Sequence, residues 1–453
     1  MAGNAENTVI PERLFWSAYL AYHLRGQARY PFRPLAVLQR DQARRVRQTV
    51  AYAYRCVPYY RETMDRLGLR PADFQRAEDL SRLPLLERAA VQRDPAYFVS
   101  TARPLDAYLH LRSGGSTGAP VSVYYDTRAL FLSRAYSERF RVIVAAAVGQ
   151  TAGYREAIIA PPYSSTHRVS QFCAAHSLAP PGMALRRQYL SLLDPPADNL
   201  ARLNEFRPDV ISSYGSYLEL LFAHIESTGA PFHRPRAIVY SSDGLSDSAR
   251  RMIQERFRIP VFGAYRSIET FPIGFECEQH RGYHLNVDLY PLRIVDGAGQ
   301  TLPPGASGDV VVSNLVSRGT VLLNYRLGDL ATLAAEPCPC GRSLPLLASL
   351  DGRSDDWIEL AGRRVHPQAV RTLFTDEQAI WQYQVIQRTP THFDIAIVPM
   401  DTCNRPQTSI RIAGKFTNRF GAGVSTNITF VDELPRTVGG KLRPVLALRR
   451  EPE

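Results

Sequence analysis

Lys441 closes the segment Leu434-Pro-Arg-Thr-Val-Gly-Gly-Lys441 and is one of only two lysines among 54 basic residues. A Lys ammonium is a compact point charge on a flexible stem, whereas Arg is a rigid planar fork, so the two are not equivalent beside one developing negative charge. The Gly-Gly pair before it lets that charge reach into another part of the molecule. The other lysine, Lys415, lies in Ile412-Ala-Gly-Lys-Phe416 and reads as an ordinary surface residue. A second segment, Arg112-Ser-Gly-Gly-Ser-Thr-Gly-Ala-Pro120, carries three glycines that free the backbone N–H groups to converge on one point, with the hydroxyls of Ser113, Ser116 and Thr117 beside them. That is the chemistry of a phosphate cradle, formed by Ser113, Gly114, Gly115, Ser116, Thr117 and Gly118, and it is not a Walker loop because no Gly-Lys-Ser/Thr follows.

Two acids complete this chemistry. Glu269 ends Tyr265-Arg-Ser-Ile-Glu269 and is suited to hold Mg²⁺ near phosphates, and Asp329 ends Tyr325-Arg-Leu-Gly-Asp329 and is suited to accept both hydroxyls of a ribose. Separately, Cys277-Glu-Gln-His280 and Cys338-Pro-Cys340 supply three thiols and an imidazole in two closely spaced pairs, the ligand set of a closed structural zinc site formed by Cys277, His280, Cys338 and Cys340. Cys56, Cys173 and Cys403 have no such partners and read as buried apolar residues.

The elements around these residues are expected to be α/β. Helical periodicity over 34–68 and 80–92 predicts an N-terminal helical layer. An alternation follows: strands at 121–125, 156–160, 210–214, 237–240 and 261–265, with helices at 128–148, 217–226 and 247–257. It predicts a mainly parallel, helix-covered sheet with ligands at the carboxyl ends of its strands. Shorter strands at 292–295, 309–313 and 321–325 predict a smaller antiparallel sheet or partial barrel. Strands near Gln384 and Ile395 and a helix over 410–420 predict a small α+β C-terminal piece. The expected domains are 1–352 and 353–453, with the boundary in Arg353 to Asp356.

Composition restricts the class. Of 453 residues, 45% are hydrophobic and 21% charged, which excludes a disordered or collagen-like chain. The longest apolar run, Val142 to Val148, is far below the ~20 residues of a membrane helix. The N-terminus lacks the basic region of a leader, so a cytoplasmic protein with no membrane partner is expected. The net charge of +11 favours anionic partners. A zinc-containing nucleic-acid-binding protein is the remote alternative, disfavoured because the basic residues are dispersed and no groove-reading or base-stacking motif occurs.

Taken in order, Ser-Gly-Gly-Ser-Thr-Gly, Tyr-x-x-x-Glu, Tyr-Arg-x-Gly-Asp, Gly-Arg-Ser-Asp-Asp and Pro-Arg-Thr-x-Gly-Gly-Lys resemble the AMP-forming adenylating superfamily of acyl-CoA synthetases and ligases. Cys338-Pro-Cys-Gly-Arg342 ahead of Asp351-Gly-Arg-Ser-Asp-Asp356 is similar to its phenylacetate-CoA ligase branch. The resemblance implies a mobile C-terminal domain and an ATP-dependent activation of a carboxylic acid, with aromatic acids the first expectation. It implies that Ser113 to Gly118 hold the ATP phosphates, that Ser242, Asp243 and Tyr265 line the adenine, and that Asp329 takes the ribose with Arg353 beside the nucleotide. Glu269 then binds Mg²⁺, Asp355 is the hinge and Lys441 enters the site for adenylation. Tyr163, Tyr214, Gly215 and Ala264 are where such a fold surrounds its acyl substrate. Coenzyme A is the expected acceptor, with an amine or an acyl carrier protein as alternatives; a homodimer is left open.

The sequence departs from the family pattern at Ala119, where a Lys often follows the phosphate loop, and at Ser242-Asp243-Gly244, which replaces an Ala-Glu-Pro type turn. Arg266 stands where Gly commonly follows the Tyr. Ile268 stands where a hydroxyl residue commonly precedes the Glu, so a hydrogen bond to the α-phosphate must come from a neighbour such as Ser267.

Overall fold

The computed structural model describes residues 6–113, 120–162, 164–178, 186–353, 358–360, 363–365, 368–374, 377, 379–400, 402–436 and 442–448. The chain divides into two compact units, one of residues 1–157, 162–189 and 262–350, the other of residues 158–161, 190–261 and 351–453.

In the first unit the helices Leu35–Cys56 and Pro58–Arg66 are separated by Val57, which is extended because a proline follows it; Pro58 then begins the next helix where its missing N–H costs nothing. Their apolar faces bury Val46, Val50, Ala53, Tyr60 and Met64 against Leu315, Val321 and Leu323. The strands Leu109–Arg112 and Ser122–Tyr125 pair antiparallel, with Arg112 opposite Ser122, and so frame the Ser/Gly-rich loop as expected. The single helix expected over 128–148 is two, Thr127–Tyr136 and Glu138–Val148. Ser137 separates them, its hydroxyl donating back to the Ser133 carbonyl at 2.8 Å.

A run of seven neighbouring strands follows, in the order Leu292–Val295, Ser307–Val312, Tyr325–Leu333, Leu346–Arg353, Tyr283–Leu285, Phe271–Glu276, Val261–Ser267. Its pairings include antiparallel ones at both ends, as expected for the antiparallel part of the α/β fold. The strand expected at 321–325 instead starts at Tyr325. Val321, Leu322 and Leu323 are buried, but their backbone bonds go elsewhere: the Val321 N–H donates to the Phe98 carbonyl at 3.0 Å and the Leu323 N–H to the Tyr60 hydroxyl at 2.7 Å.

In the second unit Val210–Tyr214 and Ala237–Ser241 pair in parallel, with the helix Gly215–Thr228 leaving directly from the first strand's carboxyl end. A four-stranded sheet has the order Ser425–Phe430, His392–Pro399, Ile380–Thr389, Val445–Leu446. The helix Arg405–Phe420 buries Ile412, Phe416 and Phe420 against Phe393, Ile395 and Ile397, the α+β arrangement expected there. Among the described residues, no helix is long and apolar enough to cross a membrane.

Candidate active site

In the first unit the base of the Ser/Gly-rich loop is closed by a reciprocal pair: the Ser113 N–H donates to the Val121 carbonyl at 2.9 Å, and the Ser113 hydroxyl accepts from the Val121 N–H at 2.8 Å. Gly114, Gly115, Ser116, Thr117 and Gly118 lie outside the described residues. Arg88, on the short helix Arg88–Arg93, joins this clasp to Glu269. Its Nη2 donates to Ser113 Oγ at 3.2 Å and its Nη1 to Glu269 Oε1 at 3.3 Å. Glu269 is 3% exposed, so Arg88 offsets a buried carboxylate.

The backbone around Glu269 is held from both sides. The Tyr125 hydroxyl donates to the Ile268 carbonyl at 2.7 Å, and Asn314 Nδ2 donates to the Glu269 carbonyl at 2.8 Å. Tyr265 Oη donates to Asp329 Oδ2 at 2.8 Å, bringing the second and third motifs of the ordered series into direct contact. Ser267, expected to replace the hydroxyl missing at Ile268, pairs with Thr270 Oγ1 at 2.9 Å. Ala264 is buried on the same strand as Tyr265, opposite Phe275. Arg88, Tyr125 and Asn314 are the side chains that sequence reasoning missed; none of them sits in a segment of unusual spacing or composition.

In the second unit Tyr214, Gly215, Ser242 and Asp243 come together. Asp243 accepts from the Ser216 N–H at 3.3 Å and from its hydroxyl at 2.5 Å, at the start of the helix Gly215–Thr228. Gly215 is required by close approach: a Cβ there would stand 2.4 Å from the Gly244 carbonyl oxygen. Ser242 adopts φ +77°, a left-handed conformation that a serine takes at a cost of roughly 1–3 kcal/mol. Its side chain bonds to that of Tyr214, whose hydroxyl is pushed up to about 12 by burial.

Arg436, in the segment that leads to Lys441, donates to Ser216 Oγ at 2.7 Å and to the Ser216 carbonyl at 2.9 Å. Gln382 reaches Glu219, one turn further along the same helix, at 2.7 Å. Tyr163, Asp355 and Lys441 lie outside the described residues. Arg353 ends the strand Leu346–Arg353, and its side chain is likewise outside them.

The Cys/His set assembles with one correction. Cys277, Cys338 and Cys340 converge, but the imidazole beside them is His284, not His280, and the four ligand atoms all lie within 4.8 Å of one another. His280 stands on a turn at φ +50°, with its ring against Phe262 and 3.8 Å from Glu276. His284 instead sits on the strand Tyr283–Leu285, opposite Phe275 and Leu346, a pairing that aims it at the thiols. Close spacing favoured His280; strand register decides for His284. Burial lowers the His284 pKa to about 4, so the ring is neutral and its Nε2 lies 3.2 Å from Cys340 Sγ. The Cys277–Cys338 sulfur separation of 3.7 Å is far from the ~2.05 Å of a disulfide and close to the ~3.8 Å that two Zn–S bonds of ~2.3 Å subtend at a tetrahedral ion. Burial pushes the Cys277 thiol up to about 12, whereas at Cys340 burial is outweighed by the Arg342 backbone and guanidinium and the thiol falls.

Comparison with known proteins gives a consistent result. Residues 358–447 match the family of CapK C-terminal domains. The chain is 27% identical to a phenylacetate-coenzyme A ligase of Thermus thermophilus over 92% of its length and 98% of that protein. It is 24% identical to the phenylacetate-coenzyme A ligase of Escherichia coli over 90% and 94% of the two chains. Among solved structures it is similar in fold to a 2-hydroxyisobutyryl-CoA ligase in the postadenylation state, with a TM-score of 0.72 and 17% identity over 92% of this chain and 90% of that one. It is also similar to the o-succinylbenzoate coenzyme A synthetase of Bacillus subtilis in complex with AMP, with a TM-score of 0.52 and 18% identity over 75% and 68%.

Proposed function

We propose that the chain is an AMP-forming adenylating enzyme of the phenylacetate-CoA ligase-like branch, which activates a carboxylic acid with ATP and passes the acyl group to coenzyme A. The observation that carries this reading is the convergence of three separated motif segments in one unit: Arg88 joins Ser113 to Glu269, and Tyr265, of the same segment as Glu269, bonds to Asp329.

In the first step a carboxylate oxygen bonds to the α-phosphorus and the bond to the pyrophosphate leaving group breaks. Both reactants are anions, so repulsion is the obstacle and no general base is needed. We assign Ser113 to Gly118 to the phosphates, Tyr265, Ser242, Asp243 and Arg353 to the adenosine, and Asp329 to its ribose hydroxyls. The buried carboxylate of Glu269 suits Mg²⁺, which when bound neutralises phosphate charge. Lys441 places an ammonium between the two anions, a preorganised charge rather than a proton donor. In the second step the thiol sulfur bonds to the acyl carbon, AMP leaves and the thiol proton is released. Asp355 is the hinge about which residues 353–453 withdraw Lys441 between the steps.

Cys277, His284, Cys338 and Cys340 fit a structural Zn²⁺, because all four positions are filled by protein and the imidazole is neutral. The function is tested by a screen of carboxylic acids for acid-dependent pyrophosphate release, repeated with coenzyme A, amines and carrier protein, with the product identified by mass spectrometry. Acid-dependent release with a CoA thioester as product is expected. Release that ends in an amide or an acylated carrier protein moves the acceptor, and no release with any acid rejects the adenylation.

A further inference from the structure

The segment Pro435-Arg-Thr-Val-Gly-Gly-Lys441 is fastened through its arginine to the first turn of the helix Gly215–Thr228. Arg436 Nη1 donates to Ser216 Oγ at 2.7 Å and Nη2 to the Ser216 carbonyl at 2.9 Å. The Ser216 hydroxyl in turn donates to Asp243 Oδ2 at 2.5 Å, and the Ser216 N–H to Asp243 Oδ1 at 3.3 Å. One buried serine therefore holds the acid assigned to the adenosine on one side and the arginine of the lysine segment on the other. The missing Cβ of Gly215 seats the helix start directly on Gly244, so backbone packing also fixes Ser216 beside Asp243.

A second tie lies one turn along the same helix. Gln382 Nε2 donates to Glu219 Oε2 at 2.7 Å, while the Ser246 N–H donates to Glu219 Oε1 at 2.6 Å. Gln382 comes just after an irregularity in its strand's pairing: Ile380 faces Pro399 and Gln382 faces Val398, so Trp381 is an extra residue. Such a bulge re-aims the side chains beside it. Glu219 and Gln382 are both buried, and each finds its polar partner across this contact. Arg436 and Gln382 belong to residues 353–453, whereas Ser216 and Glu219 do not. Withdrawal of Lys441 with those residues must therefore break both ties. Hydrogen bonds that water replaces at small net cost fit a contact that is made and broken in every turnover.

Resting on the adenylation reading, we propose that Ser216 is the dock of the Lys441 segment. Arg436, bound to it, is a positioning residue: it anchors the segment whose Gly-Gly pair gives Lys441 its reach, and it acts on adenylation through Lys441 alone.

Acid-dependent ATP–pyrophosphate exchange and transfer from a supplied acyl-adenylate to coenzyme A read the two steps separately. Arg436→Met should lower the saturated rate of exchange by about 10–100-fold, the scale of two charge-assisted hydrogen bonds, without a parallel fall in transfer. Arg436→Lys keeps the charge but not the fork and should recover part of the loss. The double variant decides: added to Lys441→Ala, Arg436→Met should cost less than about twofold more, because a residue that acts through Lys441 then has nothing left to place. Melting curves establish that the variants are folded. A merely structural arginine would lower both steps together and multiply its loss with that of Lys441→Ala; either result overturns the inference. It is equally overturned if Arg436→Met changes only the KM for ATP, which would assign Arg436 to the adenosine. Exchange lost in Lys441→Ala but unchanged in Arg436→Met rejects the dock alone. Exchange unchanged in Lys441→Ala rejects the reading on which the dock rests.

Discussion

Glu219→Gln is a perturbation whose size and sign follow from the structure. Glu219 is 4% exposed and accepts from the Ser246 N–H at 2.6 Å and from Gln382 Nε2 at 2.7 Å. Burial outweighs both bonds, Asp243 adds to it, and the carboxyl pKa rises from 4.5 to about 7. Between these values the folded chain holds a proton that the unfolded chain has lost. The contribution is therefore fully present below about pH 4.5, declines as pH rises towards 7 and is absent above it. At 1.36 kcal/mol per pKa unit the difference is about 3 kcal/mol, an order-of-magnitude figure. Glutamine keeps the shape of the neutral acid and cannot ionise; its amide pairs with Gln382 once that amide is turned. Thermal unfolding followed by intrinsic fluorescence from pH 4.5 to 8 should show wild type and variant matching at the acid end. At pH 8 the variant should melt about 5 °C or more above wild type. Parallel curves over the whole range would refute the assignment of a neutral Glu219.

Three further outcomes follow. Arg88→Met removes two charged hydrogen bonds and leaves Glu269 buried without its partner; acid-dependent pyrophosphate release should fall by about 10–100-fold, and an unaltered kcat/KM would place Arg88 outside the site. Asp288→Asn breaks a fully buried bidentate pair with Arg139, at 2.7 and 2.9 Å, and should cost about 3–5 kcal/mol in denaturant unfolding. Burial raises the Asp288 pKa but Arg139 lowers it further, so that contribution in wild type is present at neutral pH and lost as pH falls through the depressed value. Metal analysis should find one zinc per chain, lost in Cys277→Ser and His284→Ala and retained in His280→Ala; equal loss in both histidine variants would undo the register argument.

The sequence was legible where chemistry or periodicity is local. The strand Val210–Tyr214 and the strand Leu292–Val295 fall where their apolar runs predict, because a short β-rich run between turn residues has one way to bury itself. The Ser/Gly-rich loop lies between two strands for the same reason. Legibility failed where the deciding partner is distant in the chain. Val321 to Leu323 looked like a strand, but Tyr60 and Phe98 take their backbone groups. His284 reaches the thiols through strand pairing, which spacing along the chain does not encode. Arg88 lies 181 residues from Glu269, so only the fold makes it a neighbour of the acid.

The most direct test of the account is acid-dependent ATP–pyrophosphate exchange by Lys441→Ala. If the Lys441 ammonium stabilises the transition state of adenylation, exchange should fall by about 100-fold or more, as for loss of one preorganised electrostatic group. Transfer from a supplied acyl-adenylate to coenzyme A, a step to which the account gives Lys441 no part, should continue. Exchange near the wild-type rate would contradict the account.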